Sequence, residues 1–255
     1  MRYDLANYFD HTLLLPTATK GDIRALCQEA IDYNFYSVCV NPVYVSLASH
    51  YLAGTNVKVC AVIDFPLGCS TPEVKTYETK MAGVWGADEF DMVMPIGLFL
   101  GKYYEKVEQH IRSVVEVAAT RVVKVIIETG TLYHYDPSLV ATASAIVKDS
   151  GANFVKTSTG FGPYGGATIE AVKIMRDAVG PDFGVKAAGG IKRLDQVFAL
   201  IESGATRIGS SSSVSIMEDA YAQEVCGVCD ISGICSHSNR LDLTCTNWRK
   251  ISRLC

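Results

Sequence analysis

The chain reads as a single-domain (β/α)8 TIM barrel, and three observations lead there. Eight short apolar runs of β character recur along its 255 residues. Segments with apolar residues three or four apart separate these runs, as amphipathic helices require. Runs such as Val122-Val123-Lys124-Val125-Ile126-Ile127 and the one at 57–63 are almost continuously apolar, which suits parallel strands covered on both faces. Eight alternating units favour a closed barrel over an open doubly wound sheet, and no Gly-x-Gly-x-x-Gly follows an early strand.

The predicted strands span 8–11, 36–41, 57–65, 89–93, 122–128, 153–157, 184–187 and 207–209. Helical period predicts helices over 20–33, 72–85, 103–119, 137–149, 168–178 and 194–203. Those at 72 and 137 open on Pro and that at 168 opens on Thr, residue types favoured where helices start.

Composition narrows the function classes. With 49% hydrophobic residues the chain buries a large core, and a net charge of −4 with a pI near 5.7 argues against nucleic acid or an anionic membrane as partner. No apolar run approaches a membrane span, and the opening residues lack the apolar core of a secretory signal. A cytoplasmic enzyme or binding protein is the expectation. Cys27, Cys39, Cys60 and Cys69 lie in or beside apolar segments and read as small buried hydrophobes.

Two lysines in near-identical frames carry the best clue to chemistry. Lys156 in Phe154-Val155-Lys156-Thr157-Ser158-Thr159-Gly160 and Lys186 in Gly184-Val185-Lys186-Ala187-Ala188-Gly189-Gly190 each close an apolar run before a Gly-rich turn. Apolar surroundings and a second cation both penalise an ammonium, so such an amine can become nucleophilic and form a Schiff base with a carbonyl. Either lysine could be the nucleophile on this pattern. The plain structural alternative is one snorkelling lysine and one ion-paired lysine.

In a barrel, functional groups gather where strands end. The candidates are Asp10, Asn41, Asp64, Asp91, Glu128, Lys156, Lys186 and Ser210 to Ser213. A lone strand-end Asp is usually a cap, but Asp10 and Asp91 converging on two lysines could tune amines and relay protons. Thr159-Gly160, Gly189-Gly190 and Gly209-Ser210-Ser211-Ser212 each follow one of the last three strands. Backbone N–H groups there, with a helix N-terminus, suit a phosphate.

The motifs Asp10-His11-Thr12, Cys39-Val40-Asn41-Pro42, Phe65-Pro66-Leu67-Gly68, Gly86 to Val93, Lys124 to Thr129, Val155 to Phe161, Val185 to Ile191 and Arg207 to Ser211 together resemble deoxyribose-phosphate aldolase, from about residue 8 to about 224. The resemblance implies a class I aldolase on a (β/α)8 barrel that needs no metal or other cofactor. Its substrate would be a phosphosugar, 2-deoxy-D-ribose 5-phosphate, interconverted with D-glyceraldehyde 3-phosphate and acetaldehyde. It implies Lys156 as the Schiff-base nucleophile, Lys186 as the cation that lowers its pKa, Asp91 as acid/base group and Asp10 as a member of the proton relay with Lys186. Gly160, Gly189, Gly190, Gly209, Ser211 and Ser212 would cradle the phosphate. A homodimer or higher homo-oligomer is the expected assembly. The alternative from the residues alone is a non-catalytic sugar-phosphate-binding barrel, or a phosphosugar isomerase using Asp91 as base.

Other constellations carry less. His11, His50, His110 and His134 show no paired metal spacing and read as caps or surface groups. The serine run lacks the Gly-x-Ser-x-Gly elbow of a hydrolase. The barrel is assigned to 1–224, and 225–255 forms a Cys-rich C-terminal extension with Cys226, Cys229, Cys235, Cys245 and Cys255. Its lone Cys-x-x-Cys with Cys235 and His237 is weak grounds for zinc, so a solvated, disordered extension or a shifted reading frame is the expectation.

Overall fold

The structure is a computed structural model and describes residues 5–226. The element order is β1 (Phe9–Leu13), α1 (Lys20–Asp32), β2 (Ser37–Val40), α2 (Val45–Tyr51), β3 (Lys58–Ile63), α3 (Pro72–Val84), β4 (Glu89–Val93), α4 (Ile96–Leu100) and α5 (Tyr104–Ala118). There follow β5 (Val122–Ile126), α6 (Thr129–Tyr135), α7 (Ser138–Asp149), β6 (Phe154–Lys156), α8 (Ile169–Val179), β7 (Gly184–Ala188), α9 (Leu194–Glu202), β8 (Arg207–Ser210) and α10 (Ser213–Cys226). All neighbouring strands pair in parallel, and β8 returns to β1, closing the barrel. Every predicted strand and helix is present.

Local chemistry explains the boundaries. Thr19 and Asp22 form a reciprocal capping box at the start of α1, and Thr168 Oγ1 accepts from the Ala171 N–H at the start of α8. Pro72 stands in the first turn of α3, where its missing N–H costs nothing. The short helices α2, α4 and α6 occupy segments for which no element is predicted, because five to seven residues are too few to display a helical period. Helix α10 lies beyond the last predicted element. Of the segment 225–255, residues 225 and 226 close α10, and the predicted cysteine extension and its zinc alternative otherwise lie outside the described residues.

The main apolar core fills the space between sheet and helices, with Phe9, Ile63, Phe90, Met92, Val125, Val155, Val185 and Ile208 facing outward from the strands. The inside of the barrel is different. Barrels usually fill it with layers of Val, Ile and Leu. Here Asp10, Glu89, Asp91, Lys124, Lys186 and Arg207 are all buried and contact one another across non-adjacent strands, which is possible only through the interior. The described residues contain no helix long and apolar enough to cross a membrane.

Two expectations need correction. Cys69 is exposed in the loop after β3, donating to the Leu67 carbonyl at 3.3 Å, whereas Cys27, Cys39 and Cys60 are buried. His11 and His110 are buried rather than surface groups: His11 lies against Phe35 and pairs through Nε2 with Glu29 at 2.7 Å. His11 stands in β1 and His110 on α5, and the packing of helices on the sheet decides their burial.

Candidate active site

Register brings the two lysines together. In the β6–β7 ladder Lys156 is the direct partner of Lys186, and in the β4–β5 ladder Asp91 is the partner of Lys124. Asp91 stands at the centre. Its Oδ2 accepts from Lys156 Nζ at 2.8 Å and from Lys186 Nζ at 2.6 Å, and its Oδ1 accepts from Lys124 Nζ at 2.7 Å and from Cys60 Sγ at 3.2 Å. Asp10 Oδ2 accepts from Lys186, while its Oδ1 accepts from Ser37 Oγ at 2.7 Å and from an Arg207 nitrogen at 2.8 Å. Lys124 also meets Glu89 at 2.7 Å, and Arg207 meets Glu89 at 3.2 Å.

Depth separates the groups. Asp10, Asp91 and Lys186 stand within their strands instead of ending them, and all three are fully buried. Lys156 is the last residue of β6 and retains 3% exposure against 0% for Lys186 and Lys124. It is therefore the lysine nearest the open, carboxyl end of the barrel.

The electrostatics are dominated by mutual pairing. Burial alone would raise the Asp91 carboxyl, but the ammonium groups of Lys124, Lys156 and Lys186 hold it well below the carboxylate range. Asp10 is treated the same way: burial opposes, and Lys186, Lys124 and Arg207 drive it down. Desolvation disfavours the charge of Lys186 and Lys124, but Asp10 and Asp91, joined at Lys124 by Glu89, outweigh it and raise both. The Cys39 thiol is lowered by a hydrogen bond from Cys60, while burial and that same bond push Cys60 up.

Among the described residues, Cys39, Cys60 and Asp91, and likewise Asp10, Cys60 and Glu89, approach closely enough to share a cation. The ammonium of Lys124 already contacts Asp91, Glu89 and Cys60 from within this space. A divalent ion there would stand among three lysines, an arrangement that electrostatics opposes.

The predicted phosphate residues divide into two groups. Gly160, Gly189 and Gly190 have φ of 85°, 93° and 76°, the left-handed region, and a methyl on Gly189 would come within 3.0 Å of the Gly166 Cα and 3.4 Å of the Gly160 Cα. Gly160 and Gly190 are exposed, as are Ser211 and, in part, Ser212 at the start of α10. The Ser212 N–H already donates to Ser210 Oγ at 2.9 Å. Gly209 differs: it is buried inside β8, and a methyl there would meet the Ala188 Cβ at 3.0 Å and the Lys186 Cε at 3.1 Å. The space beside Gly209 is where the Lys186 stem passes.

A family model described as DeoC/LacD family aldolase matches residues 5–225, the whole barrel. The chain belongs to the DeoC/LacD aldolase family. Within this family it is 52% identical over 218 residues to a deoxyribose-phosphate aldolase of Clostridium perfringens strain SM101, covering 85% of this chain and 96% of that one. It is 53% identical over 221 residues to one of Thermococcus kodakarensis, covering 85% and 97%. A tetrameric deoxyribose phosphate aldolase structure from Aeropyrum pernix superposes with a TM-score of 0.79 at 35% identity, covering 86% of this chain and 91% of that one. In this DeoC/LacD barrel, sequence reasoning singles out Lys156, Lys186, Asp91 and Asp10, and the structure places all four in one cluster. It misses Lys124, Glu89, Arg207, Ser37 and the cysteine pair. The available signal was a charged residue in an otherwise apolar strand, as in Val122-Val123-Lys124-Val125.

Glu128 and Asp64 are strand-end candidates with positional duties. Glu128, at φ 52°, precedes α6 and accepts from the Thr159 N–H, fixing the turn after Lys156. Asp64, at φ 51°, pairs with the fully buried Lys75 at 3.0 Å and holds Ser70. Asn41 donates to the Leu14 carbonyl at 3.3 Å.

Proposed function

We propose that the chain is a class I aldolase that cleaves 2-deoxy-D-ribose 5-phosphate to D-glyceraldehyde 3-phosphate and acetaldehyde through a Schiff base on Lys156. The observation that carries this reading is the distinct position of Lys156. It alone of the three interior lysines ends its strand and retains any exposure, and its Nζ lies 2.8 Å from Asp91 Oδ2, the oxygen that also binds Lys186. Lys124 and Lys186 are each committed to more than one carboxylate.

In this mechanism unprotonated Lys156 attacks the C1 aldehyde of the open-chain sugar, giving a carbinolamine. Loss of water leaves an iminium, which withdraws electrons from the bond between C2 and C3. As the C3 hydroxyl gives up its proton, that bond breaks and the phosphorylated aldehyde leaves. The enamine remaining on Lys156 is protonated at carbon and hydrolysed to acetaldehyde and free amine. Asp91, held far below its usual pKa, stores a proton poorly at rest. It suits a relay that passes protons with Lys186 during each step. Asp10 keeps Lys186 in place from the opposite side.

The exposed glycine turns at Gly160 and Gly189-Gly190 and the start of α10 support phosphate binding by Ser211, Ser212 and backbone N–H groups. Anchoring the phosphate orients the reacting end of the sugar without itself doing chemistry. Gly209 supports the site from below, through the space it leaves for Lys186. The groove lined by Val43, Leu67, Val74, Tyr77 and Trp85, all exposed, supports self-association, with sedimentation of the purified chain as its check.

A coupled assay for glyceraldehyde 3-phosphate release tests the reading. Wild-type chain should release it from deoxyribose 5-phosphate, and Lys156→Ala should lose nearly all cleavage. A Lys156→Ala variant that still cleaves would remove Lys156 as the nucleophile, and a wild-type chain that binds the phosphosugar without cleaving it would support the binding-barrel or isomerase alternative.

A further inference from the structure

Three charged residues buried inside the barrel have no part in the mechanism above. Glu89 and Arg207 open β4 and β8, at the amino-terminal end of the barrel, and Lys124 stands at mid-strand above them. The Arg207 guanidinium lies over the Tyr36 ring, 3.5 Å from its centroid, with the Phe154 ring at 5.4 Å. It reaches up to Asp10 and across to Glu89. Lys124 joins all three carboxylates, at 2.7 Å to Asp91, 2.7 Å to Glu89 and 3.7 Å to Asp10.

Every strand contributes a group around Asp91. These groups are Asp10 from β1, Cys39 from β2, Cys60 from β3, Glu89 from its own strand, Lys124 from β5, Lys156 from β6 and Lys186 from β7, with Arg207 of β8 beneath. Cations therefore outnumber carboxylates by one: Lys124, Lys156, Lys186 and Arg207 against Asp10, Glu89 and Asp91. Charge inside a dry barrel is costly unless matched. The interior is balanced when one cation has lost its proton. Lys156 is the cation with a single carboxylate partner and access to the open end.

We propose that Lys124, Glu89 and Arg207 form a charge-compensating layer of positioning residues: Lys124 holds Asp91 by Oδ1 so that Oδ2 faces Lys156, and the layer's net charge matches the interior to an unprotonated Lys156. The inference deepens the aldolase reading and rests on it. Consistent with it, burial opposes the ionised Asp91, and Lys124 is the foremost of the cations that override burial.

The sign of each change distinguishes this layer from mere packing. Lys124→Met removes a cation, so Asp91 takes up a proton more readily and the matched state no longer has Lys156 unprotonated. The acid limb of kcat/KM should move to higher pH by about one unit, a roughly tenfold loss on that limb. Glu89→Gln removes an anion, and the limb should move to lower pH. Lys124→Met/Glu89→Gln restores the match, and its limb should return toward the wild-type position. A pH-independent loss in the single variants, movement of both in the same direction, or a double variant no closer to wild type than Lys124→Met would overturn the proposal. Should Lys124→Met fail to fold, Glu89→Gln decides alone: a limb that stays or rises contradicts it. A wild-type chain that releases no glyceraldehyde 3-phosphate would sink the aldolase reading first, whereas an active wild type with unmoved limbs would sink only the charge layer.

Discussion

Lys156 and Lys186 are direct partners in one β-ladder and donate to the same oxygen, Asp91 Oδ2, at 2.8 and 2.6 Å. What separates them is everything else each touches. Lys186 is sealed from solvent and also bound to Asp10, while Lys156 ends its strand at the mouth of the barrel. One lysine is fixed as a charge, and the other is free to react.

Removing the shared acceptor tests that division. Asp91→Asn keeps one oxygen but turns an amide NH2 toward the lysines and takes from Lys156 its one carboxylate partner. The loss in kcat should be about 10²- to 10⁴-fold, as for a missing proton-transfer group. Stability should fall by about 3–5 kcal/mol, because buried ammonium groups lose their partner. Steady-state kinetics and urea unfolding on one preparation check both, and a near-wild-type kcat would remove Asp91 from the relay.

Stability should depend on pH in two acid steps. His11 and His110 are lowered, chiefly by burial, so the unfolded chain binds protons first and stability begins to fall as pH drops below about 6.5. Asp10 and Asp91 are depressed, so their contribution is complete above about pH 4 and is lost as pH falls below it. Lys124 and Lys186 are raised, so their contribution persists up to about pH 10 and declines only above it. Unfolding midpoints measured from pH 3 to 11 should show a plateau from about 7 to 8.5, above which the raised thiols of Cys27 and Cys60 resist the ionisation open to the unfolded chain. A steep decline inside that plateau would contradict the charge assignments.

The glycines can be told apart by kinetics. Gly209→Ala places a methyl 3.1 Å from the Lys186 Cε, so it should displace that ammonium from Asp91 and lower kcat by roughly tenfold or more with little change in KM. Gly189→Ala strains a left-handed residue beside Gly160 and Gly166, and should raise KM for the phosphosugar instead. Equal effects on KM would return Gly209 to the phosphate cradle.

Much of this was legible in the sequence. Alternating apolar runs gave every strand and the closed barrel, because parallel strands covered on both faces leave an almost continuous apolar signature. The four residues of the central cluster were also legible, since Lys156 and Lys186 share a frame and Asp10 and Asp91 sit near strand ends. Lys124 and Arg207 were not. Each looks like a single charged residue in or beside an apolar run, and which face of the strand it occupies depends on the shear of the closed sheet. The close approach of the Lys186 stem to Gly209 was not legible for a related reason: a glycine at a strand end suggests a turn, and the neighbouring strand's side chain is set by the closed sheet. Burial of His11 and exposure of Cys69 depend on long-range packing that composition does not carry.

Covalent trapping addresses the central claim most directly. Acetaldehyde and borohydride added to the full chain should reduce the Schiff base, leaving an ethyl group on Lys156 that peptide mass spectrometry locates. The account predicts modification of Lys156 alone, lost in Lys156→Ala. An adduct on Lys186 with Lys156 untouched would contradict it.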